Sequence, residues 1–204
     1  MDSGLVMVDT HILESTRIPL DEAIGMRWSP KGFLDIPVEP EKLRSLFEAA
    51  RWSPSSRNEQ PWRFIVETKS HPEGYERLFS TLTESNKSWA CQAPLLIAGF
   101  AKKHFDRDNM PNRTAMYDTG GAVANLTVQA VSLGLQVHQM GGYDMRLLKE
   151  LYNVPEEFEP AAILAVGYAD EGGRSSRVRL RRELNTMVYE GVWGRASELL
   201  HSKL

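Results

Sequence analysis

The stretch that decides the fold of this chain is Arg51-Trp-Ser-Pro-Ser-Ser-Arg-Asn-Glu-Gln-Pro-Trp62. It follows a helical pattern, precedes a strand-like run, and places prolines, serines and amide side chains between two tryptophans. Proline and serine fix turns, while Asn58 and the serine hydroxyls offer both hydrogen-bond donors and acceptors. On composition alone an ordinary polar loop is favoured over a binding loop, and the sequence around the stretch decides between them.

Five helical patterns surround this stretch. Apolar residues in 43–50 recur at i, i+3, i+4 and i+7, and Pro40 and Pro54 mark the two ends of that helix. Residues 118–133 are apolar almost all round, which predicts a buried central helix that ends at Gly134. The other patterns end near Ile24, cover 75–82, and begin at the N-cap Asp144.

Four strand-like runs are interspersed with these helices, at residues 62–67, 95–101, 135–140 and 161–168. No internal repeat or linker divides the chain. This organisation predicts one domain over residues 1–204 with a mixed central β-sheet flanked by helices, in an α+β or an α/β fold.

Composition excludes several function classes. The chain of 204 residues carries 24 basic and 27 acidic side chains, a formal charge of −3, so neither nucleic acid nor a membrane surface is an expected partner. The N-terminus does not resemble a signal peptide and no apolar run is long enough for a membrane helix, so we expect a cytoplasmic protein. The one cysteine, Cys91, is expected to be a small buried hydrophobe.

Common catalytic motifs are absent from the sequence. There is no Gly-x-Gly-x-x-Gly, Walker loop, His-Glu-x-x-His or Gly-x-Ser-x-Gly. His104-Phe-Asp106-Arg-Asp108 is the only cluster of metal-ligand side chains, and we do not expect a metal there.

Two basic segments could bind an anion. Arg27-Trp-Ser-Pro-Lys31 places two cations around a hydroxyl at a helix end, which suits a phosphate, although a solvated helix terminus has the same composition. In Arg177-Val-Arg179-Leu-Arg181-Arg182, alternation would put three cations on one strand face, where an anion would relieve their repulsion. A basic surface loop or a weak nucleic-acid arm is the alternative.

A fourth segment, Leu135 to Asp144, runs from a strand through Met140, Gly141 and Gly142 to a helix cap. Paired glycines let a backbone approach a flat ligand closely. Two glycines alone do not distinguish such a site from a simple strand-to-helix turn.

Taken together and in order, these segments resemble the nitroreductase family of FMN enzymes from about Asp21 to Gly194. The matching elements are Arg-x-Ser-x-Lys at 27–31, Ser-Pro-Ser-Ser-x-Asn-x-Gln-Pro-Trp at 53–62, Asp-x-Gly-x-Ala-x-x-Asn-Leu at 118–126, Gly-Leu to Gly-Gly-Tyr-Asp at 134–144, Val-Gly-Tyr at 166–168, and Arg177 with Arg179.

The resemblance implies a domain-interleaved α+β homodimer with two FMN sites between the subunits. The cofactor-binding residues that it implies fall into three sets: Arg27, Trp28, Ser29, Lys31, Arg177 and Arg179 at the phosphate, Pro54, Ser55, Ser56 and Asn58 from the partner subunit, and Met140, Gly141 and Gly142 along the ring, with a backbone N–H directed at N5. Trp28 stands where the family commonly has arginine, which removes one cationic contact.

The same resemblance implies an activity. NAD(P)H would reduce FMN, and a nitroaromatic, quinone or similar acceptor would then take the electrons in a ping-pong reaction. No side chain is predicted to act as general acid, and residues 102–114, which match no family element, are expected to influence substrate choice. A flavin-consuming or dehalogenating relative and a non-catalytic FMN-binding or storage module are the alternatives.

Overall fold

A four-stranded sheet organises the chain in a computed structural model, which describes residues 18–170, 172 and 180–200. The strands are β1 (Trp62–Thr68), β2 (Leu95–Lys102), β3 (Gln136–Met140) and β4 (Phe158–Gly167), in the order β1-β2-β4-β3. All three pairings are antiparallel, so the prediction of a mixed sheet is wrong for the described strands. Strands β2 and β3 run parallel to each other, but β4 lies between them and pairs with both, so no parallel pair forms.

Six α-helices in the described part of the chain cover the two faces of this sheet. They are α1 (Glu22–Met26), α2 (Pro40–Arg51), α3 (Pro72–Ser80), α4 (Glu84–Ala90), α5 (Ala115–Ser132) and α6 (Met145–Leu151). On one face α2 and α5 contribute Leu46 and Leu126 to a core that includes Leu164 of β4. On the other face α3 and α4 contribute Leu78 and Trp89. The prediction of an α+β fold is therefore confirmed.

The predicted helix ends have clear local causes. Pro40 occupies the first turn of α2, where its missing N–H costs no helical hydrogen bond. Gly134 adopts φ +77° after α5, a left-handed conformation that glycine adopts without strain. Asp144 caps α6, since its carboxylate accepts from the Leu147 N–H at 2.9 Å.

One element and one side chain differ from expectation. Helix α4 has the sequence Glu-Ser-Asn-Lys-Ser-Trp-Ala, whose polar residues give no apolar stripe, and it was not predicted. Cys91 directly follows α4 and is exposed, so the expectation of a buried cysteine is wrong. The apolar run begins only at Ala93, and the cysteine belongs to the turn before it.

The chain divides into two compact units. One comprises Leu20–Ser175 and contains the sheet and all six helices. Of the other unit the structure describes residues 18–19 and 180–200, with short 3₁₀ helices and a bridge between Tyr189 and Ala196. The single-domain organisation stays a prediction. No helix in the described part of the chain is long and apolar enough to cross a membrane.

Candidate functional site

The serine-rich loop, residues 53–60, has an unusual backbone. Arg57, Asn58 and Gln60 have φ values of 56°, 55° and 51°, in the left-handed region that non-glycine residues rarely adopt. Two hydrogen bonds hold these turns: the Asn58 N–H donates to the Ser55 carbonyl at 3.0 Å, and the Gln60 N–H donates to Ser55 Oγ at 2.9 Å. Such conformations are costly and persist where surrounding contacts impose them, which makes this loop a candidate for function.

Asp118 anchors the loop to the start of α5. Its buried carboxylate accepts from the Ser56 N–H at 3.0 Å and from the Thr114 hydroxyl at 3.1 Å through Oδ2. The first turn of a helix favours a negative charge because the helix dipole is positive there. The loop is therefore fixed to the central helix by a buried, charge-assisted hydrogen bond.

Residues 102–114 support the loop from its outer side. The Arg57 guanidinium lies 3.0 Å from Asp108 and 4.5 Å above the Phe105 ring. The Asp106 N–H donates to the Glu59 carboxylate at 2.7 Å. Asp106 also pairs with Lys102, so the two acids of the His104–Asp108 cluster are engaged in ion pairs. The influence of this segment on substrate choice stays a prediction.

The phosphate segment, residues 27–31, leaves helix α1 and crosses strand β3. Arg27 is half-buried and donates to Ser29 Oγ at 3.2 Å, while Ser29 and Lys31 are exposed. The side-chain amide of Gln136 accepts from the Trp28 N–H at 3.1 Å and donates to the Met26 carbonyl at 3.4 Å. Two cations and a hydroxyl are thus displayed on a backbone that β3 holds.

His138 of β3 lies beneath this segment. Its ring stacks on Trp89, with centroids 4.2 Å apart, and its Nδ1–H donates to the Pro30 carbonyl at 2.7 Å. Burial lowers the pKa of His138, the Pro30 hydrogen bond opposes this, and the charges of Lys31 and Arg27 lower it further. Lys31 and Arg27 thus act on His138 as positive charges, and such a field attracts an anion.

The two glycines after β3 differ in their surroundings. A Cβ at Gly141 would meet nothing within 4 Å, whereas a Cβ at Gly142 would lie 2.8 Å from polar atoms of Asn86 and Thr83. The Gly142 carbonyl accepts from the Thr83 N–H at 3.0 Å and from Asn86 Nδ2 at 2.9 Å. Gly142 is therefore packed against Thr83 and Asn86, whereas Gly141 leaves open space on its Cβ side. A contact of the Gly142 backbone with a ligand stays a prediction.

The loop and the phosphate segment are attached to different elements. The loop bonds to Asp118 in the first turn of α5, and the phosphate segment bonds to Gln136 and His138 of β3. Strand β3 contacts α5 through Gln139, which donates to the Thr127 hydroxyl oxygen at 3.2 Å. Gly141 lies three residues beyond His138, or about 10 Å along the strand direction.

The other predicted site residues are distributed as follows. Ser55 and Ser56 are half-buried, Pro54 and Asn58 are exposed, and the Met140 side chain is buried in the core. A ligand could therefore meet Met140 only through its backbone. Arg177 and Arg179 lie outside the described residues. The sequence did not predict three residues that support the site: Gln136, His138 and Asp118. A signal existed for Gln136 and His138, which are polar residues at alternate positions of an otherwise apolar strand.

Comparison with known proteins assigns a family to this arrangement. The sequence model of the nitroreductase family matches residues 24–79 and 67–168. A protein of Mycolicibacterium smegmatis, the uncharacterized 15.4 kDa protein in the ask 5' region, is 34% identical over 146 residues, which are 65% of this chain and 97% of that protein.

Two further proteins are similar over most of the chain. One, from Stenotrophomonas maltophilia (strain R551-3), carries the provisional name NADH dehydrogenase/NAD(P)H nitroreductase; it is 27% identical over 187 residues, 83% of this chain and 93% of its own length. The other is the crystal structure of an oxidoreductase containing FMN, with a TM-score of 0.82 and 29% identity, covering 88% of this chain and 96% of that chain.

Proposed function

This chain belongs to the nitroreductase family, and from that premise we propose that it is a homodimeric, FMN-dependent oxidoreductase that uses NAD(P)H. The observation that carries the proposal is the phosphate segment: Arg27, Ser29 and Lys31 belong to a backbone held by β3, and the open side of Gly141 lies just beyond the end of that strand. A cytoplasmic location stays a prediction.

The residues present fit a flavin mononucleotide. Arg27, Ser29 and Lys31 would hold its phosphate, where each charge-assisted hydrogen bond contributes about 1.5–3 kcal/mol. Arg177 and Arg179 remain further candidates for the same phosphate from their sequence pattern.

The open side of Gly141 suits the flavin ring, because no side chain of the described residues would meet even a Cβ there. The distance of about 10 Å from His138 to Gly141 is one that a ribityl phosphate spans. When bound, FMN supplies the two-electron chemistry, accepting hydride from NAD(P)H and reducing an acceptor such as a nitroaromatic or quinone.

A dimer would bring the two polar segments together at one flavin. In each subunit the loop is anchored to the first turn of α5, whereas the phosphate segment is anchored to β3. A second copy would bring its own loop, with Ser55, Ser56 and Asn58, to the flavin held by the first. Exposed aromatic side chains next to the loop and its anchor, Trp52 at 74% and Tyr117 at 84%, would then be covered.

Steady-state kinetics of the holoprotein test the activity. With NADH or NADPH as donor and a quinone or nitroaromatic as acceptor, we expect double-reciprocal plots with parallel lines, because donor and acceptor would use the same open face in turn. If neither nicotinamide bleaches the flavin anaerobically, the reductase proposal fails and the storage or flavin-consuming alternatives replace it.

Sedimentation tests the assembly. We expect a dimer at micromolar concentration that carries FMN. A stable FMN-loaded monomer would contradict the shared site, since one subunit would then suffice to hold the cofactor.

A further inference from the structure

Side chains of β3 make two hydrogen bonds to the backbone of the phosphate segment and one to Met26, the residue before it. The Gln136 amide binds the Met26 carbonyl and the Trp28 N–H, one on each side of Arg27. His138 binds the carbonyl of Pro30, the residue before Lys31. Because strand side chains alternate, Gln136 and His138 project from the same face of β3. The contacts therefore bracket both cations of the segment.

The segment depends on such contacts because it lies outside any helix or strand. Backbone hydrogen bonds anchor its two flanks: the Arg27 N–H donates to the Ala23 carbonyl of α1, and beyond Lys31 the Gly32 carbonyl accepts from the Asp170 N–H and the Leu34 N–H donates to the Tyr168 carbonyl. Pro30 has no N–H to contribute. Side chains of β3 thus provide the fixed points between these ends.

The His138 donor is itself held rigidly. Trp89 is buried, and the near-parallel stacking of the two rings, 21° between planes, fixes the imidazole orientation. A carbonyl only accepts hydrogen bonds, so Nδ1 carries the proton, and the low pKa of His138 caused by burial favours the neutral ring with this single tautomer. A donor with fixed orientation and protonation is what a binding segment needs for preorganisation.

We propose that Gln136 and His138 are positioning residues for phosphate recognition: they hold residues 26–31 so that Arg27, Ser29 and Lys31 converge on one phosphate without contacting it themselves. The inference rests on the proposed function. It assigns to β3 a role in selecting FMN over riboflavin, which has the same ring and ribityl chain but no phosphate.

Binding of FMN and riboflavin to the apoprotein, followed by quenching of flavin fluorescence, tests this role. In His138→Phe the aromatic ring over Trp89 remains but the donor to Pro30 is lost. We expect the Kd for FMN to rise about five- to tenfold, since one neutral hydrogen bond contributes roughly 1 kcal/mol, while the Kd for riboflavin stays within about twofold. His138→Asn, which keeps an N–H at the δ position, should restore most of the FMN affinity.

Gln136→Met and Gln139→Met form a matched pair on the two faces of β3. Gln139 bonds to Thr127 of α5 and makes no contact with the phosphate segment. We expect only the Gln136 variant to lose affinity for FMN selectively. Equal losses for FMN and riboflavin, or unchanged FMN affinity in both His138→Phe and Gln136→Met, would overturn the positioning role.

The wild-type protein separates this inference from the proposed function. If wild-type protein binds FMN more tightly than riboflavin but the variants do not differ from it, the phosphate site stands and the positioning role is refuted. If wild-type protein does not distinguish the two flavins, the phosphate site fails, and the positioning role fails with it.

Discussion

The phosphate segment, residues 27–31, and the serine-rich loop, residues 53–60, would face the same cofactor in the dimer, yet they are held in different ways. The loop is held through its own left-handed backbone and the buried Asp118, which belongs to the central helix. The phosphate segment, in which Ser29 and Lys31 are exposed and Arg27 is half-buried, is held by side chains of the edge strand β3.

Because of this difference, we expect the loop anchor to determine the stability of the fold and the phosphate segment to determine the affinity for the ligand. Changes to the loop anchor should reduce the stability of the whole unit, because they remove the buried acceptor of the Ser56 N–H. Changes to the phosphate segment should alter ligand affinity with little effect on folding. Each of the following predictions tests one side of this division.

The largest effect is expected for Asp118→Ala. The Ser56 N–H would lose its acceptor, while the Thr114 hydroxyl would keep Asn112, so the free energy of unfolding should fall by about 1–3 kcal/mol in chemical denaturation. Asp108→Ala is the control, because its ion pair with Arg57 is at the surface and should matter far less. Similar losses of unfolding free energy in both variants would contradict the claim that Asp118 stabilises the fold more than a surface ion pair does.

Lys31→Ala should affect binding and not folding. Loss of a phosphate contact should raise the Kd for FMN about ten- to a hundredfold, with thermal unfolding of the apoprotein unchanged. Lys103→Ala removes the same charge from an exposed position on the segment that supports the loop, and it should leave the Kd unchanged.

A second pair of arginine variants should show the same contrast: Arg179→Ala should raise the Kd for FMN, and Arg174→Ala should leave it unchanged. Equal effects within a pair would indicate a diffuse basic surface.

Substitutions at the two glycines after β3 should also separate stability from binding. Gly142→Ala places a Cβ against Thr83 and Asn86, and we expect a loss of about 1–2 kcal/mol in unfolding free energy. Gly141→Ala meets open space, so it should keep the stability but weaken binding of FMN and riboflavin alike. A Gly141 variant with unchanged affinity for both flavins would remove this residue from the ring site.

The smallest effect is expected in the pH dependence of stability. Because burial lowers the pKa of His138 in the folded state, the unfolded chain takes up the proton first as pH falls through about 6.5. The apoprotein should therefore lose stability between pH 7.5 and 5.5. The His138→Asn variant should lose less, because it lacks the imidazole whose pKa differs between the folded and unfolded states, whereas the other histidines are the same in both proteins. Urea denaturation at the two pH values measures this difference, and identical losses would contradict it.

Much of the fold could be predicted because long elements have regular patterns. The stripe in 43–50 and the apolar helix 118–133 identified α2 and α5. Helix α4 is short and polar, so periodicity contains no signal for it. Strand pairing was also inaccessible, because the insertion of β4 between β2 and β3 is a property of the tertiary fold and not of any one segment.

In the candidate site, the sequence predicted the functional groups but not the residues that hold them. Functional groups in short motifs, such as Arg27 and Ser29, were visible in the sequence. Their supports were not, because the hydrogen bond between Trp28 and Gln136 joins residues 108 positions apart. The difference between Gly141 and Gly142 depends on contacts with α4, an element that the sequence did not predict.

The cofactor content of the purified protein tests the central claim most directly. The absorbance spectrum should be that of a flavin, and denaturation should release FMN and not FAD, at about one FMN per chain, because one phosphate segment and one Gly141 face occur in each subunit. A colourless protein that remains unable to take up FMN after incubation with it would contradict the account.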